Sequence, residues 1–189
     1  MKGLLMADTV PGTAGTEAIA APVAVSKAIA AYLTKHRHSQ LQGLSVPEDL
    51  AIADWGQLWR DYTELLERGE PLAIALPHSF GAAIDATSTL AEWAGDWRLS
   101  VLLTLPINAH SFSLATAFAA LARQSQAQLL GFVVWGSGSA EAVKALSEPI
   151  EATLRVPVLG HLDLQPQDLE NPDALATAAA QLNWELLPW

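Results

Sequence analysis

The chain has 189 residues, enough for one domain with a sizeable core, and we expect residues 1–189 to form a single domain. Only 16% of its residues are charged and 51% are hydrophobic, against a usual charged share of about 25%, so we expect a homodimer that buries apolar surface. A net charge of −10 argues against nucleic acid and anionic membranes as partners, because both bind mainly Lys and Arg. The chain has no cysteine and therefore no disulfide or thiolate site, and no apolar run approaches a membrane span of about 18 residues, so we expect a cytoplasmic protein.

Short apolar runs alternate with longer helical stretches along the chain. The apolar runs predict strands at 3–7, 41–46, 71–76, 100–106, 128–135 and 156–162. Amphipathic or Ala-rich stretches predict helices at 17–36, 54–70, 86–96, 109–126, 139–153 and 172–183. The last four strands are almost continuously apolar, as strands buried on both faces are. This alternation predicts an α/β fold, in which a parallel sheet has helices on both faces.

The loop after the first strand, DTVPGTAGTE at 8–17, lies where parallel α/β proteins bind phosphates. Backbone N–H groups cradle phosphates there, and the working signature adds a Lys for the phosphates and a hydroxyl for Mg²⁺. This loop has no Lys, and Lys27, the next one along the chain, lies about 15 Å beyond Glu17 along a helix. The loop is either an ordinary strand-to-helix turn or a degenerate nucleotide or anion site, whose candidate residues are Gly12, Thr13, Gly15, Thr16 and Glu17.

Three stretches between Leu90 and Leu162 carry a family resemblance: LAEWAGDWRLSVLLTLP, SLATAFAALARQSQAQLLGFVVW and VPVLGHL. They resemble helix and strand segments of dethiobiotin synthetases, P-loop ATPases that close the ureido ring of dethiobiotin from diaminopelargonate, CO₂ and ATP. The opening KGLLMADTVPGTAG is similar to the family's GTDTxxGKT start, with a short insertion. The resemblance implies a P-loop NTPase fold, biotin biosynthesis as the pathway and Mg-ATP as the cofactor of active members.

The sequence departs from the family pattern at the positions that carry the family's binding and catalytic residues. The family's phosphate-binding Lys and Mg²⁺-binding Thr would align with Thr16 and Glu17. Its acidic metal ligand would align near Pro77, and its adenine-reading Asn with Trp135. The segment KPVxSG, which carries a catalytic Lys, is replaced by GLSVPED. Several losses that affect one function suggest a pseudoenzyme in which the fold was kept and catalysis was abandoned.

Other polar residues lie at predicted strand ends, where ligands meet a parallel sheet. His78, Ser79 and His161 are possible ligand-facing residues, with Asp163 close to the last of them, and a loop-packing role is the alternative for each. His110 lies at a predicted helix start, where it either faces a ligand or has a capping or packing role. The chain has neither a G-x-S-x-G serine nor an H-E-x-x-H pair, so we assign no catalytic residue and no metal site.

Two functional hypotheses from different classes therefore remain. The first is a non-catalytic relative that binds a protein partner or a small ligand, with Trp55 and Trp59 as either core residues or interface anchors. The second is an active dethiobiotin synthetase that uses Mg-ATP with an unusual phosphate loop. The second hypothesis needs a cation from another subunit, which Arg60, Arg98 or Arg123 could supply.

Overall fold

The computed structural model describes residues 3–8, 21–44, 46, 49–69 and 71–188. Its six strands are β1 (Leu4–Asp8), β2 (Gln42–Gly43), β3 (Leu72–Ser79), β4 (Ser100–Pro106), β5 (Gln128–Trp135) and β6 (Val158–Leu162). They form one sheet in the order β2-β3-β1-β4-β5-β6, and every neighbouring pair is parallel. The predicted parallel sheet is therefore confirmed.

Helices connect the strands and cover both faces of the sheet. They are α1 (Ala21–Tyr32), α2 (Trp55–Glu67), α3 (Leu90–Asp96), α4 (Ser111–Gln124), α5 (Ala140–Leu154) and α6 (Pro172–Ala179). The chain moves in one direction across the sheet from β1 to β2, and in the opposite direction from β2 to β6. Because such crossovers are right-handed, this reversal separates α1 from α2, α3, α4 and α5, which lie on the other face.

The core consists of two apolar clusters, one on each face. Along β1, alternate side chains enter opposite clusters, as the two-residue period of a strand requires. Leu4 and Met6 pack with residues of α1 and α6, whereas Leu5 and Ala7 pack with residues of α2, α3, α4 and α5. All four side chains are fully buried. The prediction of helices on both faces is confirmed.

Two predicted helices are shorter than expected. The helix predicted at 86–96 begins only at Leu90, because the Asp85 carboxylate accepts hydrogen bonds from the backbone N–H groups of Thr87 (2.7 Å) and Ser88 (2.8 Å) and forms a separate turn. The helix predicted to reach residue 183 ends at Ala179, whose carbonyl accepts a hydrogen bond from the Trp184 indole N–H at 2.9 Å. Local side-chain hydrogen bonds therefore set both boundaries.

An aromatic cluster joins α2 to α3. It contains Trp55, Trp59, Tyr62, Trp93 and Trp97, with neighbouring ring centroids between 4.4 and 5.6 Å apart. Trp93 is buried at 5% exposure, whereas Trp59 lies at the border of the cluster and keeps 43%. Aromatic packing therefore joins α2 to α3 on one face of the sheet.

Candidate functional site

The centre of the sheet has the arrangement that creates a ligand crevice in parallel α/β proteins. β1 lies between β3 and β4, and the chain leaves β1 toward one side of the sheet but leaves β4 toward the other. Ligands bind outside the carboxyl ends of the strands at such a reversal of strand order. The carboxyl edge around β1 is therefore the candidate site of this fold.

The predicted phosphate loop begins directly at this position. Asp8 ends β1, and its backbone lies opposite Ser79 of β3 and Thr104 of β4. The candidate loop residues Gly12, Thr13, Gly15, Thr16 and Glu17 lie outside the described residues, so their role remains a prediction. The sheet nevertheless fixes the point from which this loop departs.

His78 and Ser79 end β3 beside this point, as the sequence predicted. His78 is partly buried, and its Nε2 atom is buried without a hydrogen-bond partner among the described residues. Ser79 is also partly buried, and its carbonyl accepts a hydrogen bond from the Ala82 N–H at 2.8 Å. Within the described part of the chain, the Nε2 atom of His78 is therefore not used by the scaffold, whereas the Nε2 atom of His161 is.

Three polar residues that the sequence analysis missed fix the end of β4 and the start of α4. Thr104 is 1% exposed in an otherwise apolar strand, opposite Asp8. Ser111 is fully buried and donates its hydroxyl to the carbonyls of Pro106 and Asn108, while it accepts the Asn108 N–H at 2.9 Å. Polar residues inside an apolar run, as in SVLLTLP, were the signal that could have identified Thr104.

His110 lies at the start of α4 but does not cap it through its side chain. Its backbone N–H donates to the Asn108 side-chain oxygen at 2.8 Å, and its side chain is exposed. The side chain of His110 therefore does not cap α4, and the neighbouring loop residue Asn108 accepts the hydrogen bond at this helix start.

The ends of β5 and β6 are tied together by side-chain hydrogen bonds. The His161 Nε2–H donates to the Gly136 carbonyl at 2.6 Å, which commits that nitrogen to the scaffold. The Asp163 carboxylate accepts from the Ser137 hydroxyl at 2.9 Å and from the Gln165 amide at 3.1 Å. Trp135, at the position where the family has its adenine-reading Asn, packs against the cluster of α1 and α6.

The connections that leave the carboxyl edge carry carboxylates and no cations. None of the connections that leave it contains a Lys or an Arg, whether or not their residues are described. These connections are 9–20, 44–54, 80–89, 107–110, 136–139 and 163–171, and they carry the carboxylates Glu17, Glu48, Asp49, Asp54, Asp85, Asp163, Asp168 and Glu170. The backbone N–H of Thr87 donates to the Asp85 carboxylate and lowers the pKa of Asp85 below its ordinary value.

The cations lie at the opposite edge. Six of the ten Lys and Arg residues end or follow helices at the amino ends of the strands: Lys35, Arg37, Arg68, Arg98, Arg123 and Arg155. This placement follows the helix dipole, which favours positive charge at helix C-termini. The molecule is therefore polarised, with carboxylates where an anionic ligand would enter.

An open groove of about 410 Å³ is lined by residues of the segment that follows β6, from Asp163 to Gln181. Its lining includes the three aspartates Asp163, Asp168 and Asp173. Lys35 forms an ion pair of 2.6 Å with Asp173, which lowers the pKa of that carboxyl.

Among the described residues, no group of three His, Asp or Glu side chains could hold a metal ion. In the same part of the chain, no helix has the length and hydropathy needed to cross a bilayer.

Comparison with known proteins identifies relatives by sequence and by structure. No family model matches the chain. An ATP-dependent dethiobiotin synthetase BioD from Gloeothece citriformis is 31% identical over 140 residues, which are 71% of this chain and 62% of that protein. The BioD proteins from Synechocystis sp. and Crocosphaera subtropica are 28% and 26% identical over 77% and 69% of this chain. The matches span only 61% to 64% of the length of these relatives.

Solved structures with the same fold are more distant in sequence. The septum site-determining protein MinD from Pyrococcus horikoshii, complexed with Mg-ADP, superposes with a TM-score of 0.60 over 98% of this chain and 96% of that chain, at 14% identity. The cell division ATPase MinD from Pyrococcus furiosus has a TM-score of 0.56 over 96% of this chain and 98% of that chain, also at 14% identity. The structural comparison establishes the fold, and the BioD matches establish the kinship. The chain is therefore similar in sequence to dethiobiotin synthetases, and its sheet has the fold of P-loop ATPases.

Proposed function

We propose that this chain is a dethiobiotin-synthetase-like protein that has lost ATP-dependent catalysis and acts as a non-catalytic binding or partner protein. The observation that carries the proposal is the absence of Lys and Arg from every connection at the carboxyl edge. A P-loop needs a Lys for the phosphates and a hydroxyl for Mg²⁺, and the aligned positions are Thr16 and Glu17.

Electrostatics opposes a triphosphate at this edge. An anionic ligand would meet the carboxylates of these connections and no cation from them, and like charges placed together oppose binding. Mg²⁺ could bridge two anions, but Mg²⁺ keeps several waters and binds through few protein carboxylates, so it rarely supplies the whole affinity.

The described lysines that lie away from the amino edge do not replace the missing phosphate cation. Lys27 of α1 forms an ion pair with Glu170 at 3.7 Å, and Lys144 of α5 forms one with Glu148 at 3.5 Å. Both lysines are therefore already paired with carboxylates, and recruiting either one to a phosphate would break an existing contact.

The alternative is an active dethiobiotin synthetase, and the names of the curated relatives favour it. It requires a phosphate cation from a second subunit. Arg123 donates to the Leu154 carbonyl at 2.9 Å, and both Arg123 and Arg98 lie at the amino edge, far from the strand ends that would bind the phosphates in their own subunit. A second subunit would have to present its amino edge to the carboxyl edge of the first.

Isothermal titration calorimetry of the purified chain with Mg-ATP separates the two functions. The proposal predicts no binding heat up to millimolar nucleotide, with or without diaminopelargonate. Micromolar binding of Mg-ATP would refute the non-catalytic proposal and favour the active synthetase.

A further inference from the structure

The helices α3, α4 and α5 end side by side at the amino edge of the sheet. The end of α3 packs on the end of α4, because Gly95 lies so close to the Ser125 carbonyl that no Cβ atom would fit between them. The Arg123 guanidinium, in the last turn of α4, donates to the Leu154 carbonyl at the end of α5 at 2.9 Å. The three helix ends therefore form one continuous surface.

Each of these helix ends carries an exposed arginine, and we call Arg98, Arg123 and Arg155 the arginine row. The side chains of Arg98 and Arg155 form no hydrogen bond or ion pair with any described residue, and that of Arg123 contacts a neutral carbonyl. Neighbouring helices pack about 8–10 Å apart, so the row spans roughly 20 Å. Three unneutralised positive charges therefore lie along one line.

Two residues of the row have a backbone conformation that usually belongs to glycine. Arg98 and Arg155 follow their helices with φ of 52° and 55°, in the left-handed region where a Cβ atom is unfavourable. The N–H groups of Arg98 and Leu99 donate back to carbonyls of α3 at 3.0 and 2.9 Å, an arrangement that glycine usually completes. The chain therefore has a cationic side chain at two positions where glycine would be less strained.

The helix dipole alone does not account for these two arginines, although it favours positive charge at helix C-termini. The residue after α4, Gln126, has the same left-handed conformation, with φ of 58°, and its side chain is neutral. The two hydrogen bonds that close this turn have the same spacing as those at Arg98, at 3.3 and 2.9 Å. A neutral side chain is therefore sufficient in this geometry.

The carboxylates of the same helix ends do not neutralise the row. Glu151 accepts the Val158 N–H at 3.0 Å, which directs its side chain toward β6. Asp96 lies in the last turn of α3, and helical side chains tilt toward the helix N-terminus, away from this edge. Among the described residues, neither carboxylate forms an ion pair. The positive charge of the row is therefore available to another molecule.

We propose that the arginine row is a docking surface for an acidic segment of a partner protein. An extended chain rises about 3.3 Å per residue, so about six residues span the row. Alternate side chains of such a segment face the same way, and a planar guanidinium pairs with a carboxylate through two parallel hydrogen bonds. A segment with glutamate or aspartate at every second position can therefore present a carboxylate to each arginine.

The number and spacing of the charges favour an acidic protein segment over a nucleic acid. Proteins bind phosphate backbones through many cations, often about 6–10, and the row offers three. The net charge of −10 also repels a long polyanion, whereas a short acidic segment ends at the borders of the row. The row lies at the other end of the strands from the loop after β1, so this inference does not depend on the loss of ATP binding.

Fluorescence anisotropy with a labelled octaglutamate peptide tests the row at low ionic strength, where exposed ion pairs are least screened. Wild type should bind the peptide, and Arg98→Gly/Arg155→Gly should bind it about fivefold or more weakly. Gln126→Gly is the matched control, since it makes the same backbone change at the same kind of helix end without removing a charge, and it should bind like wild type. No binding by wild type, or equal binding by wild type and the double variant, would overturn the proposal.

A second control separates the row from the total charge. Arg60→Gln/Lys144→Gln also removes two positive charges, from the exposed surfaces of α2 and α5, and should bind octaglutamate like wild type. Equal weakening by this variant and by Arg98→Gly/Arg155→Gly would contradict a defined docking surface. Tighter binding of a labelled octathymidylate than of octaglutamate would also contradict the proposal, because the row would then select phosphates.

Thermal unfolding distinguishes docking from a structural role of the same arginines. Arg98→Gly/Arg155→Gly should unfold at or above the wild-type midpoint, because glycine relieves the left-handed backbone at both positions. A midpoint below that of wild type would mean that the arginines stabilise the helix ends, and it would overturn the proposal.

Discussion

Gly95→Ala is a direct test of how tightly α3 packs against the end of α4. A Cβ atom at Gly95 would lie 1.9 Å from the Ser125 carbonyl oxygen and 3.1 Å from its carbon. Real Cβ atoms essentially never approach closer than 3.0 Å, so the two backbone segments would have to separate by about 1 Å. The clashing group is backbone, which cannot turn away as the end of a side chain can.

The expected change in the free energy of unfolding follows from two opposing contributions. Overpacking costs about 1–3 kcal/mol, and a backbone clash belongs at the upper end of that range. The helix propensity of Ala over Gly returns about 1 kcal/mol. We therefore expect the free energy of unfolding to fall by about 2 kcal/mol, which multiplies the unfolding constant by about 30.

Urea denaturation measures this loss as a shift of the midpoint at constant slope. Gly138→Ala is the matched control, because its Cβ would also clash, at 2.6 Å, but with the terminal Cδ1 atom of Ile107. That side chain can rotate, so we expect a loss below about 1 kcal/mol. Equal stability of Gly95→Ala and wild type, or a larger loss in Gly138→Ala, would refute this account of the packing.

Two further substitutions test contacts that set the fold. Tyr62→Phe leaves the buried N–H of Gly3 without the phenol oxygen that accepts it at 3.4 Å, and should cost about 1 kcal/mol at neutral pH by urea denaturation. Burial raises the pKa of Tyr62 above its ordinary value of 10.0, so wild-type stability is complete below pH 10 and declines above it, and the Phe variant should show a smaller decline. Glu92→Ala removes half of the Thr89 capping box and should cost about 1 kcal/mol, whereas Glu92→Gln should retain most of the stability; equal losses would contradict a capping role.

The order of elements could be predicted from the sequence because each apolar run is long enough to form a buried strand. The strands at 100–106 and 128–135 have the predicted bounds. The helix boundary at Leu90 could not be predicted as well, because it depends on the Asp85 turn and the Thr89 cap competing with helical propensity.

The candidate site was less predictable, since it depends on contacts between distant parts of the chain. His161 and His78 both lie at strand ends, but only the fold shows that the His161 Nε2 is committed to Gly136, 25 residues away. The charge separation between the two edges of the sheet is also invisible in the composition, which gives only the total of −10. It emerges when the helix C-termini that carry Arg98, Arg123 and Arg155 are placed at one edge.

The central proposal is that this protein does not bind Mg-ATP because its carboxyl edge lacks a phosphate cation. The direct measurement compares calorimetric titrations of wild type and of Thr16→Lys/Glu17→Thr, which restores the GKT sequence of a working loop. Thr116→Lys/Glu148→Thr, with the same change in charge on α4 and α5, is the control. We predict no binding by wild type or by the control, and measurable binding by the restored loop. Micromolar binding of Mg-ATP by wild type would contradict the account.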